Sequence, residues 1–131
     1  MAQNWRRLLP VLGYVLLIFL ASSIPSLSPP GPNFLLKDKI AHFIEYGILG
    51  SLMFAGIGWQ VSRSKMATFG FLLAVGLSIG ALDEIYQSFV PGREMSIYDW
   101  FADGVGLATG ISLSMRAAVR RARQAKPGGS S

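Results

Sequence analysis

Residues 66 to 90 read MATFGFLLAVGLSIGALDEIYQSFV, and this stretch decides the fold. No charge occurs from Met66 through Leu82; Asp83, Glu84 and Gln87 then follow closely, and Pro91-Gly92 ends the segment. Crossing a hydrocarbon core of about 30 Å takes roughly 17–25 helical residues, and a helix of this length in water needs a polar face. The stretch is therefore read as a transmembrane helix with carboxylates gathered at one end. Three more stretches fit the same ruler. Residues Leu8 to Ile24 carry no charge, Ile40 to Trp59 is apolar except for His42, Glu45 and Tyr46, and Asp99 to Met115 is Gly-rich and interrupted by Asp103. The Pro/Ser/Gly-rich run from Pro25 to Pro32 must be a loop. The expected fold is all-α: a polytopic four-transmembrane-helix bundle with helices at about 8–24, 40–59, 66–90 and 99–115. Residues 1–118 form the single domain, followed by a basic cytoplasmic tail, 119–131, disordered at its end. A rival reading takes the first span as a cleavable signal peptide, since Arg6-Arg7 precedes it and Ala21-Ser22-Ser23 follows. Cleavage would leave three spans and put the bundle out of register with the charge pattern described next.

The chain has 131 residues, 51% of them hydrophobic and only 15% charged, against about a quarter charged in soluble domains. The absence of cysteine excludes disulfides, thiolate metal sites and a cysteine nucleophile. Its net charge of +5 is unevenly spread. With the N-terminus inside, Arg6, Arg7, Arg63, Lys65, Arg116, Arg120, Arg121, Arg123 and Lys126 are cytoplasmic, nine of the twelve basic residues. Lys37, Lys39 and Arg93 fall outside with all seven acids (Asp38, Glu45, Asp83, Glu84, Glu94, Asp99, Asp103). The positive-inside rule thus predicts N-in/C-in topology. Contact with inner-leaflet lipid accounts for the basic tail, and no nucleic-acid partner is expected.

An ionisable residue within a span is a functional candidate. Helical phase aligns Lys39, His42 and Tyr46 on one stripe, Gly76, Gly80, Asp83 and Gln87 with Glu84 at the edge on another, and Asp99, Asp103, Gly106 and Gly110 on a third. Glycines on these stripes favour close helix contact, so the polar residues face protein rather than lipid. Counted at 1.5 Å per residue, the polar groups of three helices lie at about the same depth from the outer side. The ligand-binding candidates are Lys39, His42, Glu45, Tyr46, Glu84, Gln87, Arg93, Asp99 and Asp103; the catalytic candidates are His42, Asp83 and Glu84. One outward-facing pocket is expected, with Arg93 over its mouth. Blander roles compete: a snorkelling Lys39, a solvated Arg93, an interfacial Tyr46 (as for Trp59 and Trp100), and a hydrogen-bonded core His42. Asp83 and Glu84 resist such a reading, because an unpaired carboxylate at the centre of a span costs about 2.5–3.5 kcal/mol on the insertion scale. Seven acids face three bases and one histidine, so some acids are hydrated, protonated or neutralised by a cation. No spacing is diagnostic of a metal, His42 is the single nitrogen ligand, and neither metal nor cofactor is expected. Asp99-xxx-Asp103 also ends the lipid alcohol-phosphotransferase signature, but Met95 stands where that signature needs Gly and its upstream Asp-Gly run is missing.

Asp38-Lys39-xx-His42-xxx-Tyr46-xx-Leu49-Gly50, then Glu84-xx-Gln87 leading into Pro91-Gly92-Arg93, then Asp99-xxx-Asp103 with Gly106, together resemble the VanZ-like family of bacterial membrane proteins. Their order, spacing and shared membrane side make the resemblance specific over residues 38 to 110. The chain departs from the pattern at Asp103, where the family more often has Asn. The resemblance implies a multi-pass protein of the bacterial cytoplasmic (inner) membrane, with membrane lipids as neighbours and a cell-wall precursor or lipid-linked ligand as partner. It also implies a link to tolerance of the glycopeptide antibiotic teicoplanin. Similarity of fold supplies no reaction, and the sequence leaves the ligand and the oligomeric state open. Three function classes follow: an envelope protein that binds or alters a wall or lipid component, an intramembrane enzyme with His42 as general base, and a small cation or proton transporter. Residues 66 to 82 offer only Thr68 and Ser78 as polar side chains, which disfavours a path through the membrane.

Overall fold

The computed structural model describes residues 5–25, 32–61 and 63–125, and the described residues are almost all helical, without strands. A short 3-10 turn, Trp5–Arg7, leads into α1, Leu9–Ser22, with a proline in the first turn, where its missing N–H costs nothing. Helix α2, Pro32–Met53, continues through a π-helical turn, Phe54–Gly58, and a last turn, Trp59–Val61. Helix α3 is Lys65–Gln87 and α4 is Ile97–Gln124. Serine hydroxyls open the last two. Ser64 Oγ accepts from the Ala67 N–H and Ser96 Oγ from the Asp99 N–H, both at 3.3 Å, satisfying amides that have no partner within the helix. Helix α4 has Asp99 in its first turn and Arg121 and Arg123 in its last, the arrangement that the helix dipole favours.

The helix ends differ from the expected spans. Helix α2 begins at Pro32 rather than Ile40, because a helix need not stop where its sequence turns polar. Helix α3 ends at Gln87, and residues to Arg93 form tight turns: Val90 N–H to the Gln87 carbonyl at 2.9 Å, and Arg93 N–H to the Val90 carbonyl at 3.1 Å. Gly92 sits there at φ 75°, a left-handed position suited to glycine. Helix α4 runs to Gln124, so the first residues of the expected tail are helical. Most of the loop between α1 and α2 (26–31) and the end of the tail (126–131) lie outside the described residues. Among the described residues, three helices are long and apolar enough to cross a membrane: Trp5–Ser22, Leu36–Val61 and Lys65–Gln87. Helix α4 is not among them, since Asp99, Asp103 and its glycines and serines dilute its apolar content.

Consecutive helices alternate in direction. The end of α1, the start of α2, the end of α3 and the start of α4 meet at one end, where Gln87 Nε2 donates to Ser22 Oγ at 3.2 Å and Lys39 reaches Asp99. At the other end Gly56 packs on the Arg7 backbone. The centre of the fold is α2 against α4. A Cβ on Gly106 would collide with the Phe43 carbonyl oxygen, one on Gly110 with the Gly47 carbonyl oxygen, and one on Gly50 would lie 2.7 Å from the Leu107 carbonyl oxygen. Ser51 Oγ bridges the two helices, donating toward the Gly47 and Gly110 carbonyls at 3.0 and 3.3 Å. Around this seam Tyr46, Leu49, Met53, Leu72, Leu107 and Ile111 form a closed core. Outside it, Leu12, Leu16, Ile44, Ile48, Leu82, Phe101, Val105 and Leu113 are exposed. Such continuous apolar surface is a liability in water and the ordinary exterior of a protein solvated by lipid.

Candidate functional site

The polar stripes converge where the helix phases place them. His42, Asp83, Glu84, Gln87, Asp99 and Asp103 are all buried, although each is polar or charged. The apolar flanks of α2 (Ile40, Ile44, Ile48) are exposed on its opposite side.

His42 is the hub. Its Nδ1 lies 2.8 Å from Asp103 Oδ1 and 4.0 Å from Glu84 Oε1. An ionised carboxylate can only accept, so Nδ1–H donates to Asp103 and the lone pair of the neutral ring is on Nε2. Asp103, named from sequence only among the ligand-binding candidates, thus orients the imidazole. Glu84 is held from the other side: its Oε2 accepts the Ser96 backbone N–H at 2.7 Å. The Tyr46 ring lies nearly parallel to the imidazole, with centroids 6.5 Å apart and a 9° interplanar angle. Tyr46 is fully buried, which overturns the interfacial-anchor reading.

Two further pairs flank the hub. Lys39 Nζ donates to Asp99 Oδ1 at 3.0 Å and lies 5.9 Å from the Tyr98 ring centroid; Lys39 is therefore paired rather than simply snorkelling. On the α1 side, Gln87 Nε2 donates to Asp83 Oδ2 at 3.1 Å as well as to Ser22. Arg93 Nε donates to the Ile24 carbonyl at 3.2 Å and so fastens the end of α1; an acceptor just beyond a helix terminus lacks a helical partner. Glu45 is half-buried and makes none of these hydrogen bonds. The sequence reading missed Ser22 and the Ser96 amide. A small polar residue at the apolar end of α1 was the available signal for the first; a backbone donor leaves none.

Among the described residues, four buried side-chain oxygens at this end have no hydrogen-bond partner: Tyr46 Oη, Asp83 Oδ1, Glu84 Oε1 and Asp103 Oδ2. Buried polar atoms rarely go unpaired without a functional reason. Ligand atoms of His42, Glu84 and Asp103 lie within 4.8 Å of one another, as do those of Asp38, His42 and Asp99. The cluster is packed rather than open. A groove of about 600 Å³ lies elsewhere, on the apolar α3–α4 face beside Leu73, Leu77, Phe101 and Val105. Chemically, the cluster can hold a cation, and it can take or give a proton at an imidazole fixed by a carboxylate.

A family model described as VanZ/LLP1 matches residues 4–119. No curated protein and no solved structure matches the chain.

Proposed function

The chain belongs to the VanZ/LLP1 family, and on that premise we propose a membrane protein of the bacterial cell envelope whose polar cluster faces outward and binds or alters a wall precursor or lipid-linked component. The observation that carries this reading is the burial of His42, Glu84 and Asp103 together at one end of the bundle, with carboxylate oxygens left unpartnered. Apolar packing alone would not retain such a group, since isolated carboxylates are costly to bury. Residues 66 to 82 offer only Thr68 and Ser78 as polar side chains, which favours a ligand that reaches the cluster from the side where it sits.

The proposal includes a fourth crossing by α4, with both termini in the cytoplasm of a bacterial inner-membrane protein. Two observations support it: the segregation of acids from most basic residues, and the exposed Phe101, Val105 and Leu113 on α4. Cysteines replacing Glu94, just before α4, and Gln124, its last residue, both exposed, test it in this cysteine-free chain. An impermeant thiol reagent added to intact cells is expected to label Glu94→Cys and to label Gln124→Cys only after permeabilisation. Equal labelling of both from outside would remove the fourth crossing.

The functional test is tolerance. Expression in a susceptible Gram-positive host is expected to raise tolerance to teicoplanin-type lipoglycopeptides. His42→Asn keeps a donor for Asp103 and removes the imidazole; it is expected to abolish the gain at unchanged membrane abundance. Unchanged tolerance on expressing the unmutated chain would overturn this function. One observation favours a catalytic form of the proposal: the His42–Asp103 hydrogen bond leaves Nε2 as a base of fixed tautomer. Loss of turnover, rather than of ligand binding, in His42→Asn would identify that form.

A further inference from the structure

Three helices deliver one nitrogen and two carboxylates to a single buried point. His42 comes from α2, Glu84 from the last turn of α3 and Asp103 from the second turn of α4, and none is more than 3% exposed. The nearest atoms are His42 Nδ1, Asp103 Oδ1 at 2.8 Å and Glu84 Oε1 at 4.0 Å. Metal bonds to such donors are about 2.0–2.2 Å long, which places two ligands of one ion about 3.0 Å apart at a right angle and about 3.4 Å apart at a tetrahedral angle. The His42–Asp103 separation lies just below those values and the His42–Glu84 separation about 0.6 Å above them. The three ligand atoms all lie within 4.8 Å of one another, so side-chain movements on the order of an ångström would bring the three donors into coordination.

The second observation is Glu84. Its Oε2 is pinned by the Ser96 N–H, and this turns Oε1 toward His42 Nδ1, where it is buried and has no hydrogen-bond partner among the described residues. Asp103 Oδ2 is likewise buried and unpartnered. No side-chain cation of the chain fills the gap among the described residues: Lys39 is engaged by Asp99, Arg93 by the Ile24 carbonyl, and Lys37 is exposed. A neutral imidazole, two carboxylates and one divalent cation sum to zero charge, the condition a low-dielectric interior favours.

We propose that His42, Glu84 and Asp103 form a binding site for a divalent transition-metal cation of the Zn²⁺ or Mn²⁺ class. The nitrogen donor selects these ions over Mg²⁺ and Ca²⁺, which prefer all-oxygen surroundings. On binding, Nδ1 gives up the proton it donates to Asp103 and Nε2 takes one up from solvent, a tautomeric shift that leaves the imidazole neutral with Nδ1 as the ligand. The proposal rests on the functional reading of this cluster and names what it holds. Three protein ligands leave coordination positions for an oxygen of a bound phosphate or sugar group, or for a water.

The test uses the full chain purified in lipid nanodiscs, stripped with chelator and titrated separately with Zn²⁺ and Mn²⁺, with bound metal measured by elemental analysis. One equivalent per chain is expected for at least one of them. Glu84→Gln and Asp103→Asn, which keep shape and acceptor oxygens, are expected to weaken binding at least tenfold, whereas Glu94→Gln, an exposed acid outside the cluster, is expected to leave it unchanged. Helicity and thermal midpoint are recorded for each, so that a folding defect is separated from a lost ligand. Absence of saturable binding by both cations to the folded chain, or binding by Glu84→Gln and Asp103→Asn equal to that of the unmutated chain, would overturn the site. A chain that raises tolerance yet binds no metal fails this inference alone; one that binds metal and raises no tolerance fails the envelope function alone.

Discussion

Gly110→Ala is expected to destabilise the protein by roughly 2–3 kcal/mol, the upper range for overpacking a well-filled interior, and to lower its abundance in the membrane several-fold. The added methyl would meet the Gly47 carbonyl oxygen and Ser51 Oγ. A carbonyl in a neighbouring helix cannot swing aside as a side-chain tip can, so relief requires α2 and α4 to separate. Separation loosens the Tyr46–Leu49–Leu107–Ile111 core and the ties from α2 to Asp99 and Asp103 together. The controls are built into the chain. At Gly13 and Gly70 an added methyl would have no neighbour within 4 Å, so alanine there is expected to be neutral or to stabilise by up to about 1 kcal/mol through helix propensity. The same chemical change thus carries opposite signs at three positions. Thermal unfolding in one detergent decides it, and a Gly110→Ala chain as stable as Gly13→Ala would refute the close α2–α4 seam.

His42→Ala is expected to cost about 3–5 kcal/mol, the range for removing one partner of a buried pair. Asp103 is fully buried, and its one side-chain hydrogen-bonding partner among the described residues is the imidazole. Glu84 loses the ring nitrogen 4.0 Å from its Oε1 in the same step. Asp103→Asn is expected to cost far less, because an amide oxygen still accepts from Nδ1–H and carries no charge to strand. The combined His42→Ala, Asp103→Ala chain is expected to be more stable than the sum of the single losses predicts, with a coupling of about 1–3 kcal/mol. Strict additivity would show that the two residues do not interact. His42→Asn, used for the tolerance assay, retains a donor near the Nδ1 position and is expected to avoid most of this loss.

Helical phase was legible from sequence; pairing was not. The stripe of Lys39, His42 and Tyr46 and the stripe of Gly76, Gly80, Asp83 and Gln87 turn inward as a 3.6-residue period requires. The Asp99, Asp103, Gly106 and Gly110 stripe does the same, since large apolar residues on the opposite faces leave these helices one way to pack. Which acid meets His42 depends on the depth and rotation of α2 against α4. Those are set by contacts such as Gly106 on the Phe43 carbonyl, which no spacing in a single chain encodes. The helix limits were missed for a different reason. Hydropathy marks the part of a helix that suits lipid, whereas α2 and α4 continue beyond it into Pro32–Lys39 and Arg116–Gln124 as ordinary helices. The polar cluster was legible as a set of residues, and the groove beside Leu73 and Phe101 was not.

The π-helical turn at Phe54–Gly58 has a consequence for descent. Such a turn holds one residue more than the α-turns on either side of it, so a single residue added to a helix can be absorbed there without turning the residues before it. Residues before it keep the register that aims His42 and Tyr46 at α4, and Gly56 within it keeps its place on the Arg7 backbone. A homologue with an uninterrupted helix here would be one residue shorter, and the gap in an alignment belongs within residues 54–58 rather than in the loop that follows. Placed in the loop, the gap would put every residue between the turn and that loop one position out of correspondence.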